Sequence, residues 1–273
     1  MKYHIGLISK LLGLSAEGIR LYERGGIVRS RREGGGGYRF YERPDIVSLM
    51  LAMSYRGCGF TLGEAESLVN TDDPSFVAES LRRREEGLEA EIRRKQMILA
   101  RLRENRERIE NAPSKFGVVE FCERPAFYRL EFMRGGELTL EPEDYPLFRK
   151  WRALSPFVFP SLRGDWEKFL REGKDENAAG LALMESDAEM LGEEKLARRG
   201  VYYPACPCLR LMMRVEGRFP VMPAPYLEPL KEYAEREKLA VTGDPVSHTF
   251  LSINRNGGGM RYRLIWLPVE KNA

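Results

Sequence analysis

The sequence predicts a multidomain chain of α and α+β parts, and three observations predict it. First, the 273 residues carry 44 Lys and Arg against 41 Asp and Glu, a formal +3, yet the excess is local. Met1–Arg43 holds nine basic and four acidic residues, +5, which leaves −2 for the rest. Second, Ser75–Ala112 contains no proline and repeats apolar residues every seven positions. Third, Pro113–Ala273 holds 14 of the 16 prolines and all three tryptophans, and its apolar residues alternate. A hydrophobic fraction of 43% is enough for a core and excludes a disordered chain. The length suits about two domains. Four scattered cysteines exclude a disulfide scaffold. No apolar run approaches the ~20 residues that span a bilayer. Met1–His4 leads into no signal-like apolar stretch, so the expected location is cytoplasmic with no membrane partner.

The elements follow in order. Ile5, Ile8, Leu11 and Leu12 share one helical face. Gly13-Leu14 breaks it, and Ser15 is suited to cap a second helix because its hydroxyl takes a free backbone N–H. Ile19 and Tyr22 give that helix its inner side, and Gly25-Gly26 stops it. Two short helices about a tight turn make a helix-turn-helix. Arg29–Tyr41, with Gly34–Gly37 at its centre, reads as a β-hairpin wing. Pro44 opens a third helix, where its missing N–H costs nothing. Thr61 and Glu64 form the capping box of a fourth.

Leu81, Leu88, Lys95, Leu102 and Ile109 then recur as one heptad position, with Ile92 and Leu99 on the other and Glu85 and Arg106 at its outer places. So narrow a stripe on a polar helix needs a partner to bury it. The expectation is a coiled coil and a homodimer, with an antiparallel pairing open and a lone solvated helix bridging two domains as the alternative.

In the third part Leu209, Leu211, Met213 and Val215 lie on one side of a strand, and Cys208, Arg210, Met212 and Arg214 on the other. Tyr226–Lys238 reads as a helix, and His248–Asn254 and Met260–Val269 as strands about Asn256–Gly259. Phe127–Met133, a helix around Glu143–Trp151, and strands near Phe157–Leu162 and Gly180–Met184 supply a parallel set. The expectation is an antiparallel sheet of two strand-helix-strand-strand units. The parts are 1–74, 75–112 and 113–273.

The first part resembles the MerR family of bacterial transcription regulators. The matching string is Tyr3-x-Ile5-Gly6-x-Ile8-Ser9, Ser15-x-x-x-Ile19-Arg20-x-Tyr22-Glu23-x-Gly25-Gly26-Ile27 and Arg31-x-x-x-Gly35 through Gly37-Tyr38-Arg39-x-Tyr41. The third part is similar to the GyrI-like (BmrR-type) effector-binding domain, through its strand-helix units, Gly217–Pro220 and Leu267-Pro268-Val269. The resemblance implies a regulator that binds double-stranded promoter DNA as a dimer. When a small lipophilic effector binds the C-terminal domain, it would distort an overlong spacer for RNA polymerase. Multidrug sensing belongs to the same expectation, and no cofactor is implied. Leu21 stands where the family usually has an aromatic residue, which implies the loss of one phosphate contact. Leu264 stands where an acidic residue often meets cationic drugs.

DNA binding needs cations and N–H donors against phosphates and small residues near base edges. The expected contacts are Ser15, Ala16, Glu17 and Gly18 at the start of the second helix, with Arg20 and Tyr22 behind them. Tyr38, Arg39 and Tyr41 would serve on the wing. Packing of the small core is the competing role of Tyr22 and Tyr38. Candidates for the effector pocket are Trp151, Phe157, Phe159, Tyr203, Tyr226, Tyr262 and Trp266, with Tyr202 beside them and Glu185 as an anchor for a cation. Cys206-Pro207-Cys208 puts two thiols on one side, an incomplete ligand set, so no metal site is expected. His4 and His248 are the only histidines, and no nucleophile-base pair is evident, so no catalytic residue is expected. The rival readings are a GyrI-like small-molecule hydrolase and a DNA-binding protein whose C-terminal domain binds another protein.

Overall fold

The computed structural model describes residues 2–32, 39–173, 177–216, 224–255 and 258–271. The chain divides into two compact units, Met1–Gln96 and Met97–Ala273.

The first unit begins with strand β1 (Tyr3–His4), helix α1 (Ile5–Leu12) and helix α2 (Ala16–Arg24). Between the helices, Gly13 takes φ +68°, a left-handed turn that a side chain would strain. Strands β2 (Arg31–Arg32) and β3 (Arg39–Tyr41) pair antiparallel, Arg31 with Phe40 and Arg32 with Arg39. This is the stem of the expected wing. Its glycine tip and Tyr38 lie outside the described residues. β1 adds to the other side of β3, a pairing that the sequence reading missed.

Helix α3 (Arg43–Gly57) starts with its proline in the first turn, and the Asp45 carboxylate accepts from the Glu42 N–H at 2.7 Å. Helix α4 (Leu62–Asn70) has the expected box: the Glu64 N–H donates to Thr61 Oγ1, and the Thr61 N–H to Glu64 Oε2. Ile8, Ile19, Tyr22, Tyr41, Leu49, Ala52 and Ala65 form the core of the unit.

Helix α5 (Pro74–Lys115) is a single run of 42 residues, about 63 Å at 1.5 Å per residue. It passes beyond the expected end at Ala112 and takes Pro113 into its last turns. Leu81, Leu88, Ile92, Leu99, Leu102 and Ile109 are all exposed in the single chain.

The second unit is built on an antiparallel sheet. In chain order its elements are β4 (Val119–Arg124), β5 (Phe127–Arg134), β6 (Glu137–Leu138), α6 (Tyr145–Ala153), β7 (Val158–Arg163), α7 (Trp166–Glu172), β8 (Ala178–Met184), α8 (Glu185–Leu191), α9 (Glu194–Ala197), β9 (Val201–Tyr203), β10 (Cys206–Glu216), α10 (Glu228–Arg236), β11 (Leu239–Val241), β12 (Val246–Arg255) and β13 (Gly258–Lys271). The strand order is β4-β10-β13-β12-β7-β8-β5-β6, with β11 also on β13 and β9 also on β5. The sequence reading had no β4, β9, β11, α7, α8 or α9. Gly217–Pro220 and the turn residues Asn256-Gly257 lie outside the described residues.

Leu209, Leu211, Met213 and Val215 join Ile265 and Leu267 beneath Trp166, Phe169 and Leu230. On the same face Tyr128, Leu130 and Leu183 pack with Trp151, Ala188 and Ala197. Cys208 and Met212 point the other way, with Leu264, Trp266 and Ala112 of α5. The alternation expected of β10 is therefore the alternation between two cores.

Candidate nucleic-acid interface and the C-terminal cavities

In the first unit, the local sequence of α2 fixes its N-terminus as an exposed edge. Ser15 is extended (φ −67°, ψ 155°), and its Oγ accepts the Gly18 N–H at 2.9 Å. Ala16 and Gly18 bring no long side chain to this edge. Ile19 and Tyr22 turn into the core, which leaves Glu17, Arg20 and Arg24 outside.

Those three charges are engaged with one another. Glu17 accepts from Arg24 at 2.9 Å and from Arg20 at 3.4 Å. Hydrogen bonds from Arg24 and then Arg20 hold the Glu17 carboxyl below the usual range. On the wing, Arg39 donates to Glu23 at 3.0 Å, and Arg31 to Asp45 at 3.0 Å. Lys10, Arg29, Arg32 and Arg43 are exposed and make no ion pair among the described residues. The surface around α2 and the wing is thus cationic, with four of its seven described arginines clamped by acids.

Two of the expected contacts sit elsewhere. Tyr41 is completely buried in the core. Its hydroxyl is shielded from solvent with no partner among the described residues, and burial followed by the nearby Glu23 pushes its pKa up. An aromatic ring in so small a unit is needed for the core, so Tyr41 supports the wing from beneath. Tyr22 is likewise a core residue. Sequence reading passed over Lys10, Arg24, Arg31 and Arg32. Their signal was the charge excess of the whole block, which named no single residue.

The aromatic candidates of the second unit do not line one cavity. Trp151 is fully buried and donates from Nε1 to the Leu196 carbonyl at 3.2 Å. Tyr203 stacks on Phe127 at 4.7 Å, and Tyr202 donates to Glu185 at 3.3 Å at the start of α8. Tyr226 packs with the core under α10, and Tyr262 lies against Phe116. Trp266 belongs to the face with Cys208 and Met212.

Phe157 and Phe159 do meet a cavity of about 180 Å³, together with Arg101, Asn105, His248 and Phe250. His248 stacks on Phe159 with ring centroids 3.8 Å apart. Its Nδ1 has no hydrogen-bond partner among the described residues. Burial, then the charges of Arg108 and Arg101, lowers its pKa to about 3, so the imidazole is neutral. A second cavity of about 280 Å³ lies between Arg108, Arg210, Met212 and Leu264. The sequence reading assigned Arg101, Asn105 and Arg108 to the flank of a long helix. No local pattern distinguishes them from the other charges of α5.

The thiols also converge. Cys206 and Cys208 have their sulfurs 3.6 Å apart, and Cys122 on β4 lies opposite Cys208. Burial raises the pKa of Cys122 and strongly that of Cys208. That disfavours a reactive thiolate. Among the described residues, no three or more His, Cys, Asp or Glu side chains are grouped to hold a metal ion.

Sequence relatives match the first part of the chain. The family model for MerR helix-turn-helix regulatory proteins matches residues 3–71. The transcriptional regulator CueR of Vibrio cholerae is 31% identical over 105 residues, 38% of this chain and 76% of that protein. The mercuric resistance operon regulatory protein of Shigella flexneri is 33% identical over 98 residues, 36% of this chain and 67% of that protein. Among solved structures, EcmrR in a complex with DNA aligns over 98% of this chain and 99% of that one, at 18% identity and a TM-score of 0.36. The fold and its basic surface define a DNA-binding regulator of transcription. The chain belongs to the MerR family of helix-turn-helix regulatory proteins.

Proposed function

We propose that the protein is a ligand-responsive transcription regulator that grips promoter DNA as a homodimer. In this reading it is a winged helix-turn-helix over 1–74, a coiled-coil helix over 75–112 and a GyrI-like effector-binding domain over 113–273. The observation that carries it is the cationic surface of α2 and the wing, within the stretch that matches the family model. The N-terminus of α2 enters the major groove with Ser15, Ala16, Glu17 and Gly18. Arg20 and Arg39 exchange their acids for phosphates, and Tyr22 and Tyr41 hold the two elements. The exposed heptad stripe of α5 supports the dimer, because six large apolar side chains along one stripe, interrupted by Glu85, Lys95 and Arg106, favour burial against a second copy.

The GyrI-like reading is supported by strand order. β5-β8-β7 and β10-β13-β12 each run first, third, second in the chain order of their strands, with α6 and α10 following the first strand of each, and the two sets meet at β7 and β12. A small lipophilic effector bound in this domain favours the conformation that bends and untwists an overlong spacer, which realigns the promoter for RNA polymerase. Bending a site costs on the order of 1–6 kcal/mol and is offset by added contacts. The effector shifts the balance only by binding the distorting state more tightly.

Footprinting and in vitro transcription on the promoter next to the gene, at several salt concentrations, test this. The expected result is a two-half-site footprint whose affinity falls with salt, and a spacer that becomes hypersensitive when effector is present. Binding that ignores both sequence and salt overturns it.

A further inference from the structure

We propose that the cavity beside Phe159 and His248 binds a small planar aromatic anion. Its carboxylate or phenolate oxygen would be held by Arg101 and Asn105, and its ring would lie among the phenyl rings. The inference rests on the reading of the second unit as an effector domain and names the ligand class.

Size, walls and charge each point the same way. A volume of about 180 Å³ holds a single substituted ring and lies below the ~300–1,000 Å³ of sites for larger ligands. Phe157, Phe159, Phe250 and the imidazole of His248 supply aromatic surface. Arg101 is the one charged side chain among the described lining residues. Its Cζ stands 6.0 Å from the Phe157 ring centroid, so the guanidinium lies along the aromatic wall. Asp187 and Glu104 take one N–H each from its two terminal nitrogens, at 2.5 and 2.8 Å. A guanidinium has five N–H donors, so three remain.

Arg108 stands behind the same wall, its Cζ 5.8 Å from the Phe250 ring centroid. Its Nη2 holds Glu104 at 2.6 Å, while its Nη1 is buried without a partner among the described residues. His248 Nδ1 and Thr249 Oγ1 are the further buried polar atoms on this wall without a partner among the described residues. An organic cation entering here would meet the guanidinium of Arg101, with Arg108 behind the wall and with Asp187 and Glu104 already engaged by these arginines. An anion gains the attraction of Arg101, whose side chain is only 15% exposed, and a charge-assisted hydrogen bond to a mostly buried guanidinium is stronger than one in open water.

Benzoate, benzamide and benzamidine share one shape and carry −1, 0 and +1, so calorimetry of the full chain with each isolates the charge preference. The expected result is benzoate binding at least about tenfold more tightly than benzamide, with benzamidine weakest. Arg101→Gln should abolish the preference for benzoate. Because Arg101 also holds the buried Asp187, Asn105→Leu and Arg108→Met serve as further variants, each expected to weaken benzoate several-fold and leave benzamide unchanged. Benzamidine binding as tightly as benzoate, no binding by any of the three, or a preference unchanged in all three variants overturns the proposal. Salt-dependent operator binding measured on the same preparation without ligand stands apart from these outcomes. Its persistence would leave the regulator reading intact while the anion site failed.

Discussion

Glu17 sets how many cations the start of α2 can offer to DNA. It holds Arg20 and Arg24 while it places a negative charge on the exposed start of α2. Glu17→Gln should therefore raise affinity for every DNA sequence and steepen the salt dependence, whereas Arg39→Ala should lower affinity uniformly and make the slope shallower by about one. Filter binding across a salt series measures both. An unchanged slope in Arg39→Ala would remove the wing from the phosphate contacts.

His248 gives a second residue-scale outcome. Its folded pKa of about 3 lies below the ordinary value of 6.5, so the unfolded chain binds the extra proton. The stability that neutral His248 allows is present above about pH 6.5 and is lost as pH falls towards 3. At pH 5 the loss should be on the order of 2 kcal/mol. Urea midpoints of the second unit between pH 7 and 5 should fall in the native chain and fall less in His248→Phe. Parallel curves would place the acid sensitivity in other groups.

Among elements, α2 and α5 are the ones on which the proposed interface depends. The Ser15 hydroxyl satisfies one of the free N–H groups at the end of α2. Ser15→Ala should cost about 1 kcal/mol, visible as a lower urea midpoint for the first unit, and should weaken DNA binding as the helix start frays. Equal midpoints would show that the cap is dispensable. Along α5 the apolar stripe is exposed in one chain, and Leu88→Lys combined with Ile92→Lys puts like charges at its middle. Sedimentation should then show a monomer where the native chain is a dimer, with operator binding lost. A dimer surviving both substitutions would move the interface off the heptad. These elements were legible because their signals are local. A hydroxyl before a helix, a proline in its first turn and a seven-residue repeat act within one or two turns of chain. The end of α5 was misjudged by three residues: Pro113 deprives the Ile109 carbonyl of an amide partner, yet the helix continues to Lys115.

At the scale of the whole molecule, affinity should follow the fraction of paired chains. Operator binding is expected to steepen with protein concentration near the dimer dissociation constant, and a simple one-site curve across that range would speak against two-fold recognition. Much of this organisation was open to reading from residue order. The location of the basic block, the helix-turn-helix and its capping residues, the long polar helix and the two-sided alternation of β10 all depend on neighbours within a few positions. Tertiary structure alone decided the rest. It sent Tyr22 and Tyr41 into the core, because a unit this small has few other large rings to fill it. It gathered Cys122, Cys206 and Cys208 from two strands. It scattered the aromatic candidates over both faces of the sheet and set His248 against Phe159, with Arg101 and Asn105 across the cavity. Composition and periodicity say which side of an element faces inward. Which inward sides meet depends on strand order, and that is settled only when long-range pairing closes the sheet.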